Sequence, residues 1–291
     1  MVLNWWMAIH CETPQVSALP PLLNELGAWQ PKSGPILLHP GDIGWFERFG
    51  AEATANAVPV WRRDGVPLAI GLKDGDDLLR LAIRPDMYLD PVLAHQIAHD
   101  LAEPDAVLAG GTAYLELPLE SLLRGLLIEN GWILDDPWTH MRHNLEALQP
   151  PTLRITVNDE ASAADQAAIL NNAFGGKHSV KRWRAMASGP AFSAARCLVA
   201  YDDAAHPVAT ITVWSGGDGK PGLIEPLATH SDFRGQGYGR QVIHAGLLAL
   251  QNLGASSAIV ATPSSSTGGV AAYQAAGFDV VAKVPDLKRD F

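Results

Sequence analysis

The residues best placed to do chemistry are three glycines at alternate positions, in Arg234-Gly235-Gln236-Gly237-Tyr238-Gly239. A strand-like run over 222–229 leads into them and a helix-like run follows. Glycine lets successive backbone N–H groups converge without Cβ interference, and a helix N-terminus adds a partial positive charge, so the segment suits a diphosphate. Two common diphosphate sites are excluded by what is missing. A dinucleotide fingerprint needs a third glycine where Arg240 stands and an acid some twenty residues on, yet no Asp or Glu lies between Asp232 and Asp279. A nucleoside-triphosphate loop needs Gly-Lys-Ser/Thr, and the segment has no Lys.

Other reactive residues are arranged less tellingly. His95 and His99 lie at i, i+4 on a predicted helix, but Gln96 stands where a zinc protease needs Glu, so they read as a solvated face. His140 and His143 carry no more weight, and no metal is expected. Ser264, Ser265 and Ser266 lack a G-x-S-x-G setting for a hydrolase nucleophile. Cys11 and Cys197 have no metal-type spacing, and two distant cysteines suit a reducing cytoplasm. The first residues, including Trp5 and Trp6, show no basic segment or cleavage site, so no leader is expected.

The elements that must hold the glycine loop are legible from pattern. In 291 residues, 47% hydrophobic and 18% charged, the composition is globular, and the length allows two ordinary domains. Gln149-Pro150-Pro151 breaks the chain near its middle, giving parts 1–149 and 150–291. The second part reads as a strand at 153–157, helices at 161–174 and 180–187, strands at 196–201, 208–214 and 222–229, a helix after the loop, a strand at 258–261, a helix at 268–276 and a strand at 278–284. On the post-loop helix Val242, Gly246, Ala249, Leu250 and Leu253 share a face, with Gly254 available to end it. The uncharged stretch 241–278 is too punctuated to span a membrane. The first part echoes the order: a hairpin at 58–62 and 67–71, a strand at 77–83, a helix at 91–101, a strand at 112–117, a helix at 120–130 and a strand at 132–140. Asn130-Gly131-Trp132 in one half matches Ala276-Gly277-Phe278 in the other, so an internal duplication is expected.

With these motifs in order, residues 152–291 resemble the GNAT superfamily of N-acetyltransferases. The loop 234–239 fits that family's acetyl-CoA pattern, Arg/Gln-x-x-Gly-x-Gly/Ala. The strand before it, Glu225-Pro226-Leu227-Ala228-Thr229-His230, and the later Tyr273-Gln274-Ala275-Ala276-Gly277-Phe278 are similar to the family's other two motifs. One position departs: Ser266 stands where many members carry Asn. The resemblance implies an α/β (α+β) fold of two GNAT-like domains, each with a mixed, largely antiparallel sheet flanked by helices. It also implies direct transfer of an acetyl or other acyl group from CoA to an amine in a ternary complex.

The same resemblance assigns roles. Backbone N–H groups of Gly235, Gln236, Gly237, Tyr238, Gly239 and Arg240, with Arg234, would hold the pyrophosphate; Leu227, Ala228 and Thr229 would flank pantetheine, with Ser266 nearby. Pro226, lacking an N–H, suits a bulge where strand pairing opens. Tyr273 is the candidate acid for the departing thiolate and Glu225 the candidate base for the ammonium, directly or through water. His230 serves the turn. The rival reading is a non-catalytic acyl-CoA-binding or sensing module.

The first part's counterpart of the loop, Arg84-Pro85-Asp86-Met87-Tyr88-Leu89-Asp90, has no glycine and two carboxylates that repel a pyrophosphate. It is expected not to bind acetyl-CoA and to serve as scaffold and a wall of the acceptor site, lined by one or two of its seven tryptophans. The net charge of −10 divides into −11 for residues 1–150 and +1 for 151–291. That balance disfavours nucleic acid and favours a small cationic amine as partner. A cytoplasmic monomer or homodimer, away from membranes, is expected.

Overall fold

The computed structural model describes residues 8–36, 38–103, 107–109 and 111–290, so the first seven residues, with Trp5 and Trp6, lie outside it. Twelve strands form one sheet. The first half contributes β1 (His10–Glu12), β2 (Val60–Arg63), β3 (Val66–Lys73), β4 (Leu78–Ile83), β5 (Ala113–Glu116) and β6 (Ile133–His143). The second contributes β7 (Arg154–Val157), β8 (Ala195–Tyr201), β9 (Pro207–Ser215), β10 (Pro221–Thr229), β11 (Ser257–Pro263) and β12 (Asp279–Arg289).

Their spatial order, β1-β2-β3-β4-β5-β12-β6-β11-β10-β9-β8-β7, is a palindrome in which each strand mirrors the one six places later. The duplication expected from the sequence is therefore visible as pseudo-symmetry. The two sequence parts do not form separate sheets, however. The last strand, β12, lies between β5 and β6, and β6 in turn lies against β11. Each half thus lends its final strand to the other, and every strand neighbour in the centre crosses the Pro150-Pro151 point.

Pattern places the end of β12 at 284, but the strand runs on to Arg289. Its last residues look unlike a strand because Pro285 and Asp286 sit at a register shift against β6, where an unpaired residue is tolerated. Beyond the shift Leu287 is buried, Lys288 lies over the Tyr114 ring at 5.8 Å and Arg289 over the Trp132 ring at 4.8 Å. Cross-strand partners offset the poor intrinsic propensity.

Helices cover both faces. In the second half α6 (Ala163–Phe174), α7 (Val180–Ala187), α8 (Tyr238–Asn252) and α9 (Thr267–Ala275) match the expected ranges within a few residues. Val242, Gly246 and Leu250 of α8 are buried together with Ile243, Ala245 and Leu247, and Gly254 follows in the left-handed region at φ +78°. In the first half α4 (Pro91–Ala102) and α5 (Leu122–Glu129) pack on one face. The other face carries α1 (Leu19–Ala28), α2 (Pro40–Phe46) and α3 (Ala51–Ala57), in a stretch whose prolines and glycines hide the helices from pattern. Prolines at the first helical turn cost nothing, since the N–H they lack has no helical partner.

These three helices fuse the halves. Their core residues, such as Leu22, Leu26 and Ile43, pack with Trp214, Ala195 and Met186 of the second half in one cluster. His39 ties the junction further: Nδ1 accepts from Gly41 N–H and Nε2 lies 3.1 Å from the Pro221 carbonyl of β10. Burial pushes its imidazole down to about 4, so it stays neutral.

Candidate active site

The sheet is antiparallel except at two places, β4 with β5 and β10 with β11. Parallel neighbours are paired only at the start. Pro221–Leu223 match Ser257–Ile259, after which β10 and β11 continue unpaired and splay. On its other side β10 shifts register against β9 between Ile224 and Leu227. The bulge falls on Glu225 and Pro226, as a residue without an N–H predicts.

A cavity of about 910 Å³ occupies this splay. At one end lies the glycine loop. Gly235 and Gly237 have φ of +77° and +85°, and a Cβ at either would meet no atom within 4 Å. Their backbone conformation, not crowding, demands glycine. At Gly239 a Cβ would come within 3.1 Å of Thr229 Oγ1. Helix α8 starts at Tyr238 with no capping side chain, so no side chain takes up its first N–H groups. An uncapped helix of fifteen residues behind a left-handed glycine turn is a built anion cradle, and it fits the diphosphate of CoA.

Leu227, Ala228, Thr229, Arg234, Gly235, Gly237, Tyr238, Gly239, Arg240, Ser266, Tyr273 and Glu225 all line the cavity, so the structure brings together the residues singled out by sequence. Gln236 is the exception. Its exposed side chain turns back to the Asp232 carbonyl at 3.3 Å, leaving only its backbone for ligand contact. Ser266 caps α9 by position without a side-chain bond. His230 Nδ1 accepts from Asp232 N–H, which is a turn role.

Tyr273 is 6% exposed, and burial, reinforced by the Glu225 charge, pushes its phenol above the ordinary value of 10. A phenol that holds its proton this firmly is a donor and not a base at neutral pH. Glu225 accepts from the Trp214 indole through its carbonyl, at 2.8 Å, and its carboxylate lies 3.9 Å from Arg80 Nη1.

Arg80 is the centre of a cluster that the sequence reading misses. From β4 of the first half it meets Asp42 at 3.0 Å, Asp74 at 3.3 Å, Glu116 at 3.6 Å and Glu225 at 3.9 Å. Four carboxyl groups thus share one guanidinium. Burial raises the Glu116 carboxyl from its ordinary value and pushes that of Asp42 well above its own, against the pull of Arg80. Asp286 on β12 also lines the cavity; burial and then the Glu116 charge raise it to about 7. Trp138 and His140 of β6 complete this end. His140 is committed: Nδ1 accepts from Ile36 N–H at 3.0 Å, and burial lowers it to about 4. Only the charged residue Arg80 inside the apolar run Leu78-Leu79-Arg80-Leu81-Ala82-Ile83 signalled any of this.

His95 and His99 are exposed on α4, and the described residues contain no group of three or more potential metal ligands.

The sequence profile of the acetyltransferase (GNAT) family matches residues 167–278, which hold the loop, β10, β11 and Tyr273. Residues 167–278 belong to the GNAT family. Among solved structures, the GNAT-family acetyltransferase from Colwellia psychrerythraea is 12% identical, with a TM-score of 0.61 over 98% of this chain and 99% of its own. A tandem GNAT protein from the clavulanic acid biosynthesis pathway, solved without acetyl-CoA, is 14% identical, with a TM-score of 0.59 over 97% and 98%. A GCN5-related N-acetyltransferase from Sphaerobacter thermophilus is 16% identical, with a TM-score of 0.57 over 97% and 95%. A search of curated proteins finds no match. The shared feature is the fold: two GNAT-like halves, of which the second carries the family's signature. The GNAT family assignment supports acyl transfer as the class of chemistry. No helix among the described residues is long and apolar enough to cross a membrane.

Proposed function

We propose that the chain is an acetyl-CoA-dependent N-acetyltransferase acting on a small cationic amine. The observation that carries this reading is one cavity with oppositely built ends: an anion cradle at 234–240 and an acidic chamber around Arg80, with Tyr273 and Glu225 on its lining. Bound in the splay, acetyl-CoA supplies an activated acyl carbon.

The protein's own residues do the rest. The α8 N-terminus and the loop N–H groups hold the pyrophosphate, and the open edges of β10 and β11 flank the pantetheine arm. Glu116, Glu225 and Asp286 accept hydrogen bonds from an ammonium and keep it in line, while Asp42 holds Arg80 in place. Glu225, directly or through water, takes a proton from the ammonium so that the free amine can attack. Tyr273 gives its phenolic proton to the departing sulfur. The first half takes part by supplying the chamber wall, not by binding a second cofactor.

A panel of amines, amino acids and thiols incubated with acetyl-CoA, with free CoA thiol followed over time, tests this. The expected result is thiol release with cationic amines and loss of release in Glu225→Gln, with acetyl-CoA affinity kept. Tight acetyl-CoA binding without release for any acceptor would favour a sensing module instead.

A further inference from the structure

The parallel pair β4 and β5 is the symmetry mate of β10 and β11, and it too opens into a splay after a short pairing: Leu78–Arg80 match Tyr114–Glu116, where β5 ends while β4 runs on to Ile83 against β3. This splay also holds a cavity, of about 320 Å³, lined by Leu81, Tyr88, Leu117 and Glu120 with the 31–36 segment and β12. It therefore occupies the position in the first half that the acetyl-CoA cleft occupies in the second. Four residues, Ile36, Glu116, His140 and Asp286, line both cavities, so the two share a wall.

The chemistry of this cavity is inverted. Its counterpart of the glycine loop holds no anion cradle: Asp86 is paired with Arg84 at 2.6 Å, and Asp90 caps Leu93 N–H. Among the described residues no Lys or Arg lines it, whereas Glu116, Glu120 and Asp286 do. Among the described residues Glu120 has no ion pair, while Arg80, on Glu116, and Arg124, whose Nη2 donates to the Pro285 carbonyl, act on Asp286 from outside this lining. A hole of this size with excess negative charge, joined to the chamber of a proposed amine acetyltransferase, calls for a cation.

We propose that this cavity is a subsite for a second cationic group of the acceptor, making the substrate an organic dication such as a diamine. The reacting amine sits in the chamber among Glu225, Glu116 and Asp286, and the distal ammonium lies beyond the shared wall, near Glu120. The inference rests on the amine reading above.

Calorimetric titration of straight-chain α,ω-diamines and of n-alkylamines of equal length into CoA-saturated protein tests the subsite without needing turnover. A distal ammonium held in this cavity against Glu120 should give the best diamine about tenfold tighter binding than its monoamine, with a sharp optimum in chain length. Glu120→Gln should narrow that ratio about threefold, in the range of one partly exposed ion pair. Equal affinity of diamine and monoamine at every length overturns the subsite, as does a ratio unchanged in Glu120→Gln. Diamine preference without thiol release refutes the transferase reading and leaves the subsite standing; release from monoamines with no diamine preference does the reverse.

Discussion

The two halves share a scaffold down to single hydrogen bonds and differ in the atoms that do chemistry. At the end of α5, Trp132 N–H donates to the Leu127 carbonyl and Gly131 N–H to Ile128; at the end of α9, Phe278 N–H donates to Tyr273 and Gly277 N–H to Gln274. Both glycines have φ of +93°. The cap is one motif used twice, and it aligns Leu127 with Tyr273. Where the second half has a buried phenol on its cavity, the first has a buried leucine in its core. The loops diverge likewise, left-handed glycines against a proline-led turn with paired aspartates. Backbone geometry survives such divergence because packing and capping specify it; the proposed cofactor site depends on glycines and a phenol that the first half lacks.

The largest effect that probes this contrast is at the cap. Tyr273→Phe should lower turnover on the order of 10²–10⁴-fold, the usual reach of a general acid, and leave acetyl-CoA affinity intact. Adding Leu127→Tyr to that variant should restore nothing, because the first half lacks the glycine loop proposed to hold the thioester donor. Recovery of thiol release in the double variant would mean that both clefts can catalyse.

A smaller effect tests how the halves are joined. Glu47, 1% exposed, receives Ala191 N–H at 3.4 Å across the junction, while its Oε2 has no partner. Burial raises its carboxyl from 4.5 to about 8. A raised acid is protonated when folded, so stability falls as pH rises from about 4.5 to about 8, at up to about 1.4 kcal/mol per pH unit. Glu47→Gln removes the ionisable proton. Its melting temperature should exceed the parent's at pH 8.5 by several degrees and equal it at pH 4. A constant difference across that range would contradict the assignment.

The smallest effect belongs to the i, i+4 histidines. His95→Ala with His99→Ala should change stability by under about 0.5 kcal/mol and leave turnover unaltered in chelator-treated protein, as for exposed side chains.

The cofactor end of the site was legible because its signals are local: alternate glycines, a strand before them, a helix after. The acceptor end was legible only in Glu225. Asp42, Arg80, Glu116, Glu225 and Asp286 come from α2, β4, β5, β10 and β12, spread from one end of the chain to the other, and only the exchange of β6 and β12 brings them together. Nothing in the period of a strand specifies which distant strand it will join. Asp286 was hidden twice over, since its proline and charges also argued against the strand that carries it.

The central claim is that two equivalent clefts have become one for an anionic donor and one for a cationic partner. Calorimetric titration of acetyl-CoA into the intact chain tests it most directly. One molecule should bind per chain, and Gly237→Val, which forces a β-branched residue into φ +85°, should weaken that binding by about tenfold or more. Two molecules bound per chain, or affinity unchanged by Gly237→Val, would contradict it.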